Sequence, residues 1–273
     1  AFLFTEIALS DDQIPTEVFG SPPLIGNVKI SPNGEKIAMY ATLNNGDSAI
    51  LIRDLTKNEP LKPIASSDNK SLKLLSFNWF DDEIILASAW LAQDLYNTKA
   101  DYTRLLRVNV DGSGFEPLFK KRHFKDLPLR WEEFNQTRII DWLPDDDENI
   151  LVMLRMSNAR SPDVIKLNVK KNSIKTVKKG VAGVGSWMTD EDGRVRIGQT
   201  YDRDRSTGSI IFQREGSTKW RTVWDYSSFG EDAISVLGFG EAPNKVWYEA
   251  YKDGRLAVFS ADISKQNIEP ELV

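Results

Sequence analysis

Short apolar runs broken by Gly, Asn, Asp and Pro dominate this chain, and helix-period stripes are scarce. Runs of Val, Ile, Leu, Phe and Trp bounded by turn-formers read as β-strands. Five segments share one order: an apolar strand, an acidic or Asn/Gly turn, a second strand, a polar loop, a third strand, another turn and a short fourth strand. The strand–turn–strand portions fall at 28–40, 77–86, 140–152, 184–195 and 236–248. The first apolar residues after these turns are Ile37, Ile84, Ile150, Val195 and Val246, spaced by 47, 66, 45 and 51. Four strands in roughly 40–50 residues is the period of a β-propeller blade. The long spacing carries an insertion, supplied by 120–136.

The expected fold is therefore all-β, a propeller portion of about five four-stranded units at about 27–66, 71–120, 137–180, 183–228 and 233–273. An N-terminal segment, 1–26, leads into them. A blade that is apolar on both faces cannot bury itself, and stacking blades around an axis buries both faces while leaving short edges. Trp79, Trp142, Trp187 and Phe239 recur near the end of the first strand and are expected between blades. A sandwich or two smaller β domains is the alternative.

Composition narrows the chemistry. The 273 residues carry 35 Lys plus Arg against 40 Asp plus Glu, a net −5, which argues against a broad basic nucleic-acid surface. There is no cysteine, so disulfides, thiolate nucleophiles and cysteine-bound metal are excluded. A single histidine, His123, excludes histidine-cluster metal sites, and no cofactor is expected. The longest apolar stretch, 84–92, is far short of the ~20 residues that span a bilayer. The start, Ala1-Phe2-Leu3-Phe4, has no basic leader and no initiator Met, and reads as a processed or trimmed terminus.

Ser31-Pro32-Asn33-Gly34 before Ile37-Ala38-Met39, and Ile139-Ile140-Asp141-Trp142-Leu143-Pro144-Asp145-Asp146, resemble blade turns of the propellers in prolyl oligopeptidase family (S9) serine peptidases. The stretch Ile14-Pro15-Thr16-Glu17-Val18-Phe19 is similar to the lead-in to that propeller. The resemblance runs from about Ile14 to the end. It implies a partner, a C-terminal α/β-hydrolase domain of the same parent chain holding the G-x-S-x-G nucleophile. No G-x-S-x-G occurs in this sequence, so no catalytic residue is carried over and the chain reads as a fragment. Residues 1–26 remain an alternative source of ring closure. The implied role is to gate access and help select short peptide substrates, in an exported or periplasmic bacterial protein. The competing reading is a TolB- or WD-like interaction scaffold. A glycoside-processing propeller is a third.

Other motifs read as structure. His123 sits among Lys120, Lys121, Arg122 and Lys125, with no acid to orient it, and reads as a surface-loop residue. Lys166, Lys170, Lys171, Lys175, Lys178 and Lys179 read as a solvated, edge-guarding set. Asp145-Asp146-Asp147-Glu148 and Asp190-Glu191-Asp192-Gly193 lack the alternation of a calcium loop and read as turn caps. The insertion loops 90–97 and 127–134 mix aromatics with charge. Trp90, Tyr96, Arg130 and Trp131 are the candidate substrate or interface contacts there.

Overall fold

A computed structural model describes residues 24–95, 98–124, 135–156, 161–227 and 230–273 of the chain. Among these residues the strands form five separate four-stranded antiparallel sheets, each ordered as the chain runs. Blade 1 holds β1 (Ile25–Ile30), β2 (Lys36–Thr42), β3 (Ser48–Asp54) and β4 (Lys62–Ser67). Blade 2 holds β5 (Leu72–Trp79), β6 (Ile84–Leu95), β7 (Thr98–Asn109) and β8 (Glu116–Pro117). Blade 3 holds β9 (Ile139–Asp141), β10 (Asn149–Leu154), β11 (Asp163–Asn168) and β12 (Ser173–Lys178). Blade 4 holds β13 (Val184–Thr189), β14 (Val195–Thr200), β15 (Thr207–Gln213) and β16 (Trp220–Ser227). Blade 5 holds β17 (Ile234–Phe239), β18 (Lys245–Lys252), β19 (Arg255–Asp262) and β20 (Glu271–Leu272). The fold class expected from the repeat is the one observed.

The turns explain the strand ends. In blade 1 the Gly34 amide donates to Ser31 O at 2.9 Å, and Gly34 takes the left-handed φ of +78° that glycine adopts without a Cβ penalty. Asn33 Oδ1 accepts from the Glu35 amide at 3.0 Å. In blade 3 Asp146 caps the amides of Glu148 and Asn149 at 3.1 Å. Lys166 Nζ lies 2.6 Å from the same carboxylate and, with the Asn149 amide, holds it down at about 2. In blade 4 Asp190 Oδ1 accepts from the Arg194 amide at 2.9 Å. The two acidic runs are turn chemistry, and among the described residues no three Asp, Glu or His side chains converge as metal ligands.

Apolar side chains from adjacent blades meet in shared layers. Ile50 and Ile52 of blade 1 pack with Phe77 and Ile85 of blade 2. Leu86 and Leu105 of blade 2 pack with Val152 and Leu167 of blade 3. Leu151 and Val164 of blade 3 pack with Val184 and Trp187 of blade 4. Phe212 and Tyr226 of blade 4 pack with Val246 and Tyr248 of blade 5. The layers run through consecutive blades, as face-to-face stacking requires.

Three of the four recurrent aromatics fill these layers. Trp187 is buried, and its indole donates to Pro162 O of the preceding blade at 2.8 Å. Trp79 does the same to Lys29 O at 3.1 Å. Phe239 packs in the layer between blades 4 and 5. Trp142 departs from the expectation: it is 37% exposed, just past the end of β9. Leu143 follows with φ +47°, and this reversal turns Leu143 inward onto the layer between blades 3 and 4 while Trp142 points out.

Cations tie blade 1 to blade 2, blade 2 to blade 3 and blade 4 to blade 5 through backbone carbonyls. Lys36 Nζ donates to Asp82 O at 3.0 Å. Arg107 donates to Val169 O at 3.0 Å and Lys170 O at 2.9 Å. Arg221 donates to Ile263 O and, at 2.8 Å, to Lys265 O. Charge-assisted donors satisfy turn carbonyls that no ladder reaches.

Candidate functional site

Tyr226 closes blade 4 on β16, with its ring in the layer against blade 5. Its hydroxyl accepts from Gln199 Nε2 at 2.7 Å and donates to Thr200 O at 3.2 Å. Gly208 on β15 makes this approach possible: a Cβ there would lie 2.4 Å from both the Tyr226 hydroxyl oxygen and Thr200 O. A glycine inside a strand marks such close passage.

Around this tyrosine lies an open cavity of about 490 Å³. Tyr226, Tyr201, Ala233, Ile234 and Leu256 give it largely apolar walls. Gln199, Ser186 and Ser235 supply neutral polar groups, and Arg138 and Glu249 bring one charge of each sign. A second cavity of about 550 Å³ shares Tyr201 and Tyr226 and carries Asp202, Asp225 and Asp232. Its carboxylates are engaged locally: Asp225 accepts from Ser209 Oγ at 2.6 Å, and Asp232 from the Ser227 amide at 3.1 Å. Both cavities lie where first strands begin and second strands end, at one end of blades 4 and 5. A third cavity, of about 430 Å³, lies between blades 1 and 2, and its charges pair among themselves as Lys36–Glu83, Lys57–Asp54 and Lys62–Glu59. The groove at Tyr201 and Tyr226 is thus the candidate site, and it offers shape, aromatic surface and neutral hydrogen-bonding groups.

The sequence candidates lie elsewhere. Trp90 is half-buried within β6, paired across the ladders with Lys73 and Thr103, so its segment is an extended hairpin strand and not an inserted loop. Strands β6 and β7 are twelve residues each, so 90–95 is regular β structure, while most of the insertion expected at 120–136 lies outside the described residues. Tyr96, Arg130 and Trp131 lie outside the described residues. His123 is half-buried in a short 3₁₀ turn, not on an open loop, with Nε2 3.2 Å from Asn172 O of blade 3. Burial, with Arg122 adding to it, lowers its pKa from the ordinary value. The lysine set is more engaged than a solvated edge: Lys170 pairs with Asp81 of blade 2 at 3.3 Å. Lys178 sits over the rings of Trp220 at 4.3 Å and Trp187 at 5.2 Å, and desolvation lowers its pKa.

No family model and no curated protein matches the chain. Solved structures do match in fold. A prolyl endopeptidase aligns over 91% of this chain and 35% of its own, with a TM-score of 0.56 and 10% identity. Dipeptidyl peptidase 4 of Porphyromonas gingivalis aligns over 91% of this chain and 39% of its own, with a TM-score of 0.54 and 12% identity. An oligogalacturonate lyase in complex with manganese aligns over 90% and 68%, with a TM-score of 0.54 and 12% identity. The chain therefore spans little more than a third of the peptidases it matches. It is a β-propeller, with the fold of the propeller part of prolyl oligopeptidase-type peptidases.

Proposed function

We propose that this chain is the non-catalytic propeller of a serine peptidase of the prolyl oligopeptidase kind, restricting access and helping to select short peptides for an α/β-hydrolase domain of the same parent. The observation that carries this reading is the match of 91% of the chain to about a third of two such peptidases. The turn motifs at Ser31-Pro32-Asn33-Gly34 and Ile139 to Asp146 support it from the sequence side. Exposed apolar residues on the terminal blades fit a part of a larger assembly: Ile25 and Ile30 on blade 1 and Tyr251 on blade 5 are each 45% or more exposed. Closed into a ring within the parent, such a stack would exclude folded chains by size while admitting extended ones. The nucleophile, base and oxyanion hole belong to the hydrolase domain.

Two measurements test the reading. The parent reading frame is expected to encode a G-x-S-x-G hydrolase segment, and a parent without one overturns the proposal. The purified chain is expected to leave peptidyl p-nitroanilides intact, while the parent enzyme cleaves short peptides in preference to folded proteins. Turnover by the chain alone defeats the non-catalytic assignment.

A further inference from the structure

The first strand of every blade carries a bulge in its ladder with the second strand. The extra residue falls at Asn27–Val28 in blade 1, Leu75 in blade 2, Ile140 in blade 3, Gly185 in blade 4 and Leu237 in blade 5. Bulges re-aim the side chains beside them. Val28, Leu75 and Leu237 are 52%, 49% and 50% exposed, an unusual state for apolar strand residues in the middle of a sheet protein. First strands of adjacent blades are neighbours, β1 with β5, β9 with β13 and β13 with β17. Val28, Leu75 and Leu237 present apolar side chains to solvent, Ile140 packs half-buried in the layer between blades 3 and 4, and Gly185 has no side chain at its bulge.

Gly185 lines the 490 Å³ cavity together with Tyr201 and Tyr226. The backbone does not demand glycine there. Its φ lies outside the left-handed region, and a Cβ would meet nothing within 4 Å. A side chain like those of the other four blades would fit the fold and cover the cavity beside it.

We propose that the space left open at Gly185 is the mouth of a subsite for a bulky apolar side chain of a bound peptide. This rests on the peptide-handling function proposed above and names the side-chain class. The cavity lies within the range of about 300–1,000 Å³ common for ligand pockets. Its apolar walls suit an aromatic or large aliphatic group, and its single positive and negative residues give no preference for a charged one. Ser186, Ser235 and Gln199 at its rim match the donors and acceptors of a peptide backbone.

Calorimetric titration of the whole chain with acetyl-Gly-Phe-Gly-amide, acetyl-Gly-Ala-Gly-amide and acetyl-Gly-Glu-Gly-amide tests it. The Phe peptide is expected to bind about tenfold or more tighter than the other two, since burying a benzyl group in place of a methyl removes far more apolar surface from water. Gly185→Leu is expected to weaken the Phe peptide by a similar factor with an unchanged thermal midpoint. Tyr201→Ala, at a 45% exposed residue, is a second variant that keeps the fold and loses a wall of the site. Equal binding of the three peptides, undiminished binding by Gly185→Leu and Tyr201→Ala, or no binding of the Phe peptide at millimolar concentration overturns the subsite. A parent lacking a hydrolase segment, with Phe-selective binding intact, would overturn the peptidase reading and leave the subsite standing. The converse result would do the reverse.

Discussion

Arg196 of blade 4 donates Nη1 to the carbonyl of Pro243, in the first turn of blade 5, at 2.5 Å. Its Nη2 donates to Asn244 Oδ1 at 2.6 Å, its Nε to Gln213 O at 3.1 Å, and Nη1 also lies 3.3 Å from Asp190. The guanidinium stacks between Phe212 and Phe239, 5.2 Å from each ring centroid. Only arginine offers a planar, permanently charged fork that reaches four acceptors while sitting over two rings. The residue is 3% exposed, so its charge is matched inside the protein rather than by water.

Arg196→Ala is expected to cost about 3–5 kcal/mol, because it leaves a hole between Phe212 and Phe239 and strips the Pro243 and Gln213 carbonyls and Asn244 of a charged donor, although Arg194 still pairs with Asp190 at 2.9 Å. Arg196→Lys should restore little of this. Adding Asp190→Asn to Arg196→Ala should cost less than the sum of the two single changes. Urea unfolding of the three variants measures it, and a loss under 1 kcal/mol for Arg196→Ala would show that the clamp is incidental.

Gly208 and Gly185 make a contrasting pair. Gly208→Ala drives a methyl into Tyr226 and Thr200, and overpacking of this kind costs roughly 1–3 kcal/mol. Gly185→Ala meets open space and should leave the thermal midpoint within about a degree or raise it slightly, since it reduces unfolded-state freedom. Differential scanning calorimetry of both variants decides; equal destabilisation would contradict the geometry.

The sole histidine permits a clean pH experiment. Burial holds the folded pKa of His123 below the unfolded value of about 6.5, so the unfolded chain binds the proton first. Its contribution is fully present above pH 6.5 and is lost as pH falls from there through the folded pKa. Proton NMR should follow one imidazole titrating below 6.5, with no second histidine to confuse it. His123→Asn should flatten the stability profile across that window, and a titration at or above 6.5 would refute the burial.

Trp187 and Trp142 separate packing from mere aromaticity. Trp187→Phe removes the bond to Pro162 O, worth about 1 kcal/mol, and disturbs contacts with Trp220 at 5.4 Å between ring centroids. Trp142→Ala removes a side chain that points away from the layer and should change stability by less than about 1 kcal/mol. Guanidinium titrations of the two variants should differ accordingly; similar losses would mean that Trp142 packs more deeply than its exposure indicates.

The blade repeat was legible because strands and turns are local. Alternating apolar residues, Asn-Gly and Asp-Gly turns and the spacing of Ile37, Ile84, Ile150, Val195 and Val246 belong to segments of a dozen residues whose physics is contained in themselves. The same locality misled at two places. Trp142 shares the sequence position of Trp187, but the left-handed Leu143 beside it turned the chain. The run after Ile84 looked like an inserted loop because its twelve-residue strands exceed those of the other blades.

The groove was not legible, since its walls come from residues far apart in sequence, from Arg138 to Leu256. Tyr201, Tyr226 and Gln199 are ordinary residues until blade stacking gathers them. The chain by itself determined that flat apolar sheets would form and would have to cover one another, because burial of two-faced strands has few solutions. Which side chains then met between the sheets, as Arg196 meets Pro243 and Gly185 meets Tyr201 and Tyr226, was decided only by the stacking angle and register of whole blades, a long-range geometry that no single segment encodes.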